Sequence, residues 1–128
     1  MTFKLILMAA AGGAFGSVAR FVTVSLAAST FGLGFPFGTV IVNVLGSFLM
    51  GVLVELLAIR AAPSDELRVL LGVGFLGGFT TFSAFSLDFT ALAARKAYDL
   101  AVLYVVGSVL LSLLAIFAGM ALVRALSP

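Results

Sequence analysis

The sequence predicts an all-α membrane protein with four transmembrane helices, the third broken at mid-membrane. Of its 128 residues, 63% are hydrophobic and only 9% are charged, whereas soluble domains carry about 25% charged residues. A membrane-crossing helix needs about 20 mostly apolar residues, and four stretches meet this requirement. They cover residues 3–28, 36–59, 69–92 and 100–123, and they make residues 1–128 a single transmembrane domain.

Short polar or glycine-rich segments separate the predicted helices. Residues 29–36 end in Pro36, which suits the first turn of the second helix. Residues 60–68 form a charged loop in which Ser64 precedes two acids, the pattern of a helix N-cap. The first 20 residues also have the composition of a signal peptide, but we expect them to remain as the first membrane helix.

Several function classes are excluded by composition. Histidine and cysteine are both absent, which removes imidazole catalysis, thiolate nucleophiles and zinc sites with nitrogen or sulfur ligands. No predicted helix carries a pair of acids, so we expect no enzyme activity. The net charge of +2 is too small to indicate nucleic acid. The expected partners are the lipid bilayer and a second copy of the chain.

The Lys/Arg distribution bears on orientation in the membrane. The side with both termini holds four basic residues, and the other side holds Arg95 and Lys96, plus Arg20 if it extends outward. Because a clear imbalance is needed to fix orientation, this near balance predicts insertion in both directions and antiparallel pairing of two copies. A single orientation chosen by the one-charge bias is the alternative, and charge counting does not separate the two.

Polar side chains recur every four residues in the second and fourth predicted helices, so each set lies along one helix face. Asn43 is the only amide in the chain and can donate to an anion. The alternative is helix–helix packing through small and polar residues. The stripes are Thr39, Asn43, Ser47 and Gly51 in the second helix, and Tyr104, Ser108 and Ser112 in the fourth.

The third predicted helix combines glycine, hydroxyl residues and phenylalanines at intervals of three, Phe79, Phe82 and Phe85. Glycine, threonine and serine are poor formers of an unbroken helix, so we predict a break at mid-membrane. Freed carbonyls would suit a monovalent cation and freed N–H groups an anion, and ring edges would be weak ligands for a small anion. The alternative is a kinked helix that heals through Ser/Thr back-bonding.

In the first predicted helix, Gly12 and Gly16 indicate close helix packing. Arg20 follows on the same face, and an arginine within a membrane helix is a functional candidate. It could draw anions into a vestibule. The alternative is that its side chain extends to a lipid headgroup.

Three segments of the chain, one in each of the first three predicted helices, resemble the Fluc (CrcB) family of bacterial fluoride channels. Residues 77–86 (GGFTTFSAFS) are similar to the family's third-helix signature, which is highly specific. Residues 38–46 (GTVIVNVLG) resemble its second-helix motif and residues 12–21 its first helix. The likeness runs along the whole chain in order, at the family's length.

The resemblance implies a passive, fluoride-selective channel that exports cytoplasmic fluoride across the bacterial inner membrane and confers fluoride resistance. It also implies an antiparallel, dual-topology homodimer with two pores. The implied site has a vestibule arginine, Arg20, and a central structural sodium ion held by the backbone carbonyls of Gly77 and Thr80. The implied fluoride path is lined by Asn43, Phe82, Phe85, Tyr104, Ser108 and Ser112.

Two acids stay without a predicted role. Asp88 stands where some family members carry glutamate, and its place near the end of its helix is an adequate structural account. Glu55 has no assigned function.

Two other function classes are alternatives to the channel. A small multidrug-resistance-like dual-topology exporter needs a carboxylate in its first helix, and residues 3–28 contain none. A non-conducting membrane assembly subunit would use the polar stripes for packing alone. An open groove lined by polar side chains would favour the channel.

Overall fold

The structure is a computed structural model that describes residues 1–60 and 64–128. Within these residues, four helices are long and apolar enough to cross a membrane. They are the first to fourth spans: Phe3–Phe31, Phe37–Ala58, Asp65–Ala94 and Tyr98–Leu126. The four-helix prediction is confirmed, and each predicted boundary lies within four residues of the observed one. Residues 61–63 of the predicted charged loop lie outside the described residues.

Side-chain caps set where two of the spans begin. The Leu67 N–H donates to Ser64 Oγ at 3.2 Å, so the N-cap predicted at Ser64 is confirmed. The Leu5 N–H donates to Thr2 Oγ1 at 3.3 Å at the start of the first span. A 29-residue span is about 43 Å long, which exceeds the hydrocarbon core of about 30 Å, so its ends reach the headgroup region.

Glycines allow the spans to pack in two close pairs. The first span lies against the N-terminal half of the third, and the second lies against the fourth. A Cβ atom added at Gly12 or Gly16 would collide with a third-span backbone carbonyl. At Gly51 or Gly119 it would collide with a carbonyl across the pair of the second and fourth spans. The close packing predicted from Gly12 and Gly16 is therefore confirmed.

The third span changes its winding along its length. It begins with one α-helical turn, Asp65–Leu67, continues as a π-helix over Arg68–Leu76, and returns to α at Gly77–Phe79. Thr80 is extended, with φ −86° and ψ 159°, and a second helix runs from Ser83 to Ala94. The predicted break is thus observed at residues 80–82. The sequence analysis did not predict the π-helix, a winding that is rare and often found near functional sites.

One ion pair fastens the second span to the fourth on the side of the termini. Arg124 donates from Nε to Glu55 Oε1 at 3.0 Å and from a terminal nitrogen to Oε2 at 3.1 Å. The two parallel hydrogen bonds fix the relative rotation of the two helices, because a planar guanidinium matches a carboxylate in one orientation. Glu55, for which the sequence indicated no role, therefore has a structural one.

The glycine packing generates a prediction about stability. Gly16→Ala should destabilise the fold by about 1–3 kcal/mol, the usual cost of overpacking, because its methyl would strike the Phe75 carbonyl. Gly13→Ala is the matched control on the same helix, since its methyl would lie 3.9 Å from the Gly74 carbonyl oxygen. Thermal unfolding of the purified variants measures the difference. Equal loss of stability in both variants would contradict this packing.

Candidate functional site

A largely apolar groove with hydroxyl and amide side chains in its walls lies beside the break in the third span. Its volume is about 260 Å³, and the second, third and fourth spans all contribute to its walls. Five of the six residues predicted for the fluoride path line it, so tertiary packing brings both polar stripes to the phenylalanines of the break. The lining residues are Asn43, Ser47, Thr80, Thr81, Phe82, Phe85, Ser108, Val109 and Ser112.

Asn43 is bound to the backbone of the break by two hydrogen bonds. Its Nδ2 donates to the Thr81 carbonyl oxygen at 3.0 Å, and its Oδ1 accepts from the Thr81 N–H at 2.8 Å. The two backbone partners define the orientation of the amide, because one is an acceptor and the other a donor. One amide hydrogen remains for a ligand in the groove.

Thr81 lies just before the helix that follows the break. The Ala84 N–H, in the first turn of that helix, donates to Thr81 Oγ1 at 3.1 Å. In a continuous α-helix, the Thr81 N–H would pair with the Gly77 carbonyl and the Ala84 N–H with the Thr80 carbonyl. Both N–H groups bind side chains instead. The two carbonyls predicted to hold a cation are therefore without their helical partners.

The two phenylalanines of the predicted path differ strongly in exposure. Their ring centroids lie 5.4 Å apart with the ring planes tilted by 49°. Phe85 is 9% exposed and lies 5.1 Å from the Tyr104 ring, whereas Phe82 is 77% exposed. Phe85 thus belongs to the interior of the chain, and Phe82 projects from it.

The hydroxyls of the fourth span occupy different surroundings. Ser108 is 5% exposed and lines the groove, and its Oγ has no hydrogen-bond partner among the described residues. Ser112 lies one turn further along the same wall and is half-buried. Tyr104 is fully buried outside the groove lining, where its hydroxyl donates to Asp88 Oδ2 at 2.8 Å.

Asp88 connects three spans, a role that the sequence analysis missed. Thr39 Oγ1 donates to the same oxygen, Oδ2, at 2.7 Å. The carboxylate on the third span therefore holds one hydroxyl from the second span and one from the fourth. A signal was present in the sequence, since Thr39 and Tyr104 each lie on a polar stripe. Nothing in the spacing indicated that both stripes meet at one acid.

Arg20 lies in a polar cavity of about 460 Å³, next to the groove. Thr81, a residue of the break, lines both spaces. Asp88 lines the same cavity as Arg20, which places charges of both signs in its walls. The cavity is lined by Ser17, Arg20, Phe21, Val24, Ser25, Thr39, Thr81, Ala84 and Asp88.

Known proteins with similar sequences identify the family. The family described as CrcB-like protein, Camphor Resistance (CrcB), matches residues 7–120 of the chain. The chain belongs to this CrcB-like family. The groove and the polar cavity lie entirely inside the matched segment, since their lining runs from Ser17 to Ser112.

The CrcB-like relatives are similar along nearly their whole length. A Caulobacter sp. protein named Fluoride-specific ion channel FluC is 51% identical over 120 residues, 93% of this chain and 94% of that protein. A protein of the same name in Chelativorans sp. is 52% identical over 115 residues, which are 90% of this chain and 92% of that protein. A protein of the same name in Agrobacterium fabrum (strain C58) is 49% identical over 119 residues, which are 93% of this chain and 95% of that protein. The family resemblance predicted from the motifs is confirmed.

The hydrogen bonds of Asp88 generate a prediction. Asp88→Ala should lower stability by about 1–3 kcal/mol for each hydroxyl left unpaired, since Thr39 and Tyr104 are both buried. Asp88→Asn should lower it much less, because the amide oxygen can still accept both hydrogen bonds. Thermal unfolding of the two variants checks this, and an equal loss in both would mean that charge, not pairing, is what Asp88 contributes.

Proposed function

We propose that this chain forms a passive, fluoride-selective channel, not an enzyme, that exports cytoplasmic fluoride and confers fluoride resistance. The name of its relatives supplies the ion, and the groove supplies a path of matching chemistry. The Ser108 hydroxyl is the observation that carries the proposal, because it is buried in the groove wall without a described partner. An unpaired buried hydroxyl costs about 1–3 kcal/mol, and an anion in the groove would pair with it.

The groove offers donors that can replace the water around fluoride. Removing water from a small, strongly hydrated anion is costly unless new hydrogen bonds form. Hydroxyls of Ser108 and Ser112 and the remaining amide hydrogen of Asn43 are neutral donors. Ring edges of Phe82 and Phe85 carry partial positive charge. Binding must be weak enough for the ion to leave again, and none of these groups carries a full charge.

The two ends of the path have different chemistry. Arg20 would raise the anion concentration in the polar cavity, which shares the Thr81 wall with the groove. Tyr104 would join the path at Phe85, whose ring it supports, with its hydroxyl oriented by Asp88. The membrane potential would drive transport at about 2.3 kcal/mol per charge per 100 mV. With the bacterial inner membrane as its location, a negative interior expels fluoride without a pump.

A second copy of the chain would complete the pore. The Phe82 ring, 77% exposed, projects beyond its own chain, where an antiparallel partner would bury it. The twofold symmetry of such a homodimer would create two equivalent pores. The two sides of the membrane carry nearly equal numbers of basic residues, and this near balance supports insertion in both orientations.

A structural sodium ion would lie between the two copies. The fit is chemical: carbonyl oxygens are the ligands that a hard monovalent cation takes when it loses its water. Gly77 and Thr80 provide two such oxygens per chain, both without their helical N–H partners. Two antiparallel copies would contribute four carbonyls around one ion on the twofold axis. The ion would stabilise the assembly and would not permeate.

The ring-edge account predicts the effect of two substitutions. Phe82→Ile and Phe85→Ile should each reduce fluoride efflux from proteoliposomes at least about tenfold, equivalent to about 1.4 kcal/mol on the barrier, while the protein stays folded. Phe15→Ile, at an exposed position away from the groove, is the matched control and should conduct normally. Wild-type rates in both groove variants would rule out ring edges as ligands, and equal release of chloride and fluoride by the unmodified protein would rule out selectivity.

Dual topology predicts where a terminal tag will be found. In cells, a small tag on the C-terminus should react with impermeant reagents on both faces of the membrane, in comparable amounts. Labelling from one face only, in a well-expressed chain, would contradict the antiparallel arrangement.

A further inference from the structure

We infer that Asn43 and Thr81 are positioning residues for the central cation site, in addition to lining the groove. This inference rests on the sodium ion of the proposed function. Each of the two side chains binds a backbone N–H that would otherwise return to a carbonyl of the site. The site would therefore exist because these two side chains hold the helix open.

The first carbonyl of the site belongs to Gly77. Its carbonyl would accept from the Thr81 N–H in an unbroken helix, but Asn43 Oδ1 takes that N–H at 2.8 Å. Asn43 Nδ2 also donates to the Thr81 carbonyl at 3.0 Å, so the second span holds the backbone on both sides of the Thr81 Cα. Without the amide, the Thr81 N–H would have no partner in a nearly dry place, and closing the helix onto Gly77 would satisfy it.

The second carbonyl of the site belongs to Thr80. Its carbonyl would accept from the Ala84 N–H, which donates to Thr81 Oγ1 at 3.1 Å. Thr80 Oγ1 donates to the Leu76 carbonyl at 2.9 Å, which holds the last turn before the break. Thr80 itself is extended and not helical, so its carbonyl does not continue the hydrogen bonding of the preceding helix. A hydroxyl at position 81 is thus what competes with Thr80 for the Ala84 N–H.

Asn43 would serve both the fluoride path and the cation site. The same side chain would contact fluoride through its free amide hydrogen and hold the cation site through its other atoms. Loss of conduction in an Asn43 variant therefore has two possible origins. A cation-dependent measurement separates them, because the cation site can fail without reference to fluoride.

The experiment compares variants that keep or remove each diverted hydrogen bond. Asn43→Leu has a similar volume and removes both hydrogen bonds to Thr81, whereas Asn43→Asp keeps an acceptor for the Thr81 N–H. Thr81→Val removes the acceptor for the Ala84 N–H, and Thr81→Ser keeps it. Thr90→Val controls for the loss of a hydroxyl on the same span, since within residues 1–60 and 64–128 the Thr90 hydroxyl bonds to nothing but the nearby Leu87 carbonyl. The readout is thermal unfolding of the purified protein as sodium replaces a large organic cation at constant ionic strength.

Wild-type protein should gain thermal stability with added sodium and saturate. Asn43→Leu and Thr81→Val should raise the half-saturating sodium concentration by about 10- to 100-fold, the usual cost of losing a group that positions a metal's ligands. Thr81→Ser and Thr90→Val should saturate close to wild type. Asn43→Asp keeps the acceptor for the Thr81 N–H but loses the donor to the Thr81 carbonyl, so its half-saturating concentration should lie between those of wild type and Asn43→Leu. Asn43→Asp should nevertheless lose fluoride efflux, because it places a like charge in the path.

The outcomes distinguish this inference from the proposal beneath it. If wild-type protein gained no stability from sodium, the cation site itself would be refuted. If wild type responded and the Leu and Val variants had the same half-saturating concentration, the positioning role would be wrong while the cation site stood. A uniform drop in stability at every sodium concentration would likewise assign these residues to folding alone. Should Asn43→Leu fail to fold, the Thr81→Val and Thr81→Ser pair decides the question.

Discussion

A backbone carbonyl or N–H within the hydrocarbon of a bilayer has no water to pair with, so every break in a membrane helix must be supplied with new partners. The third span is broken at residues 80–82, and the rest of the structure is arranged around that break. Asn43 binds the N–H and the carbonyl of Thr81, and the Thr81 hydroxyl accepts from the Ala84 N–H in the first turn of the helix that follows. The result is an irregular segment with defined geometry deep in the membrane.

Close packing of the neighbouring spans keeps this segment in place. A Cβ atom at Gly46 would collide with Thr80 Cγ2, so the break is seated directly on a glycine of the second span, one turn from Asn43. A Cβ atom at Gly78 would lie 2.7 Å from the Gly13 carbonyl oxygen, which shows how closely the first span approaches from the other side. The glycines therefore determine the distance at which the polar groups of different spans meet.

The charged side chains Arg20 and Asp88 line the neighbouring polar cavity and not the groove. Asp88 accepts hydrogen bonds from Thr39 and Tyr104, which are neutral donors, so in the described part of the chain its carboxylate is paired with hydroxyls and not with a basic side chain. Arg20 lies in the wall of the adjoining polar cavity and not in the groove. The groove is lined by neutral groups, a condition under which a small anion can be bound and released. Phe85 packs on Tyr104, and so Asp88 also supports the groove wall indirectly.

The sequence by itself determined the membrane class, the four spans, the break and the residue types of the path. It could do so because hydropathy, helix propensity and spacing along one helix are local properties. Which stripes face each other is set by packing between distant segments, so only the tertiary structure decided that the stripes meet at the break. The same holds for the π-helical winding, for the two acids, Asp88 and Glu55, and for the pairing of Asn43 with Thr81, residues 38 positions apart. Ser108 illustrates the division: its residue type marked it as a donor, but only burial without a partner made it a binding candidate.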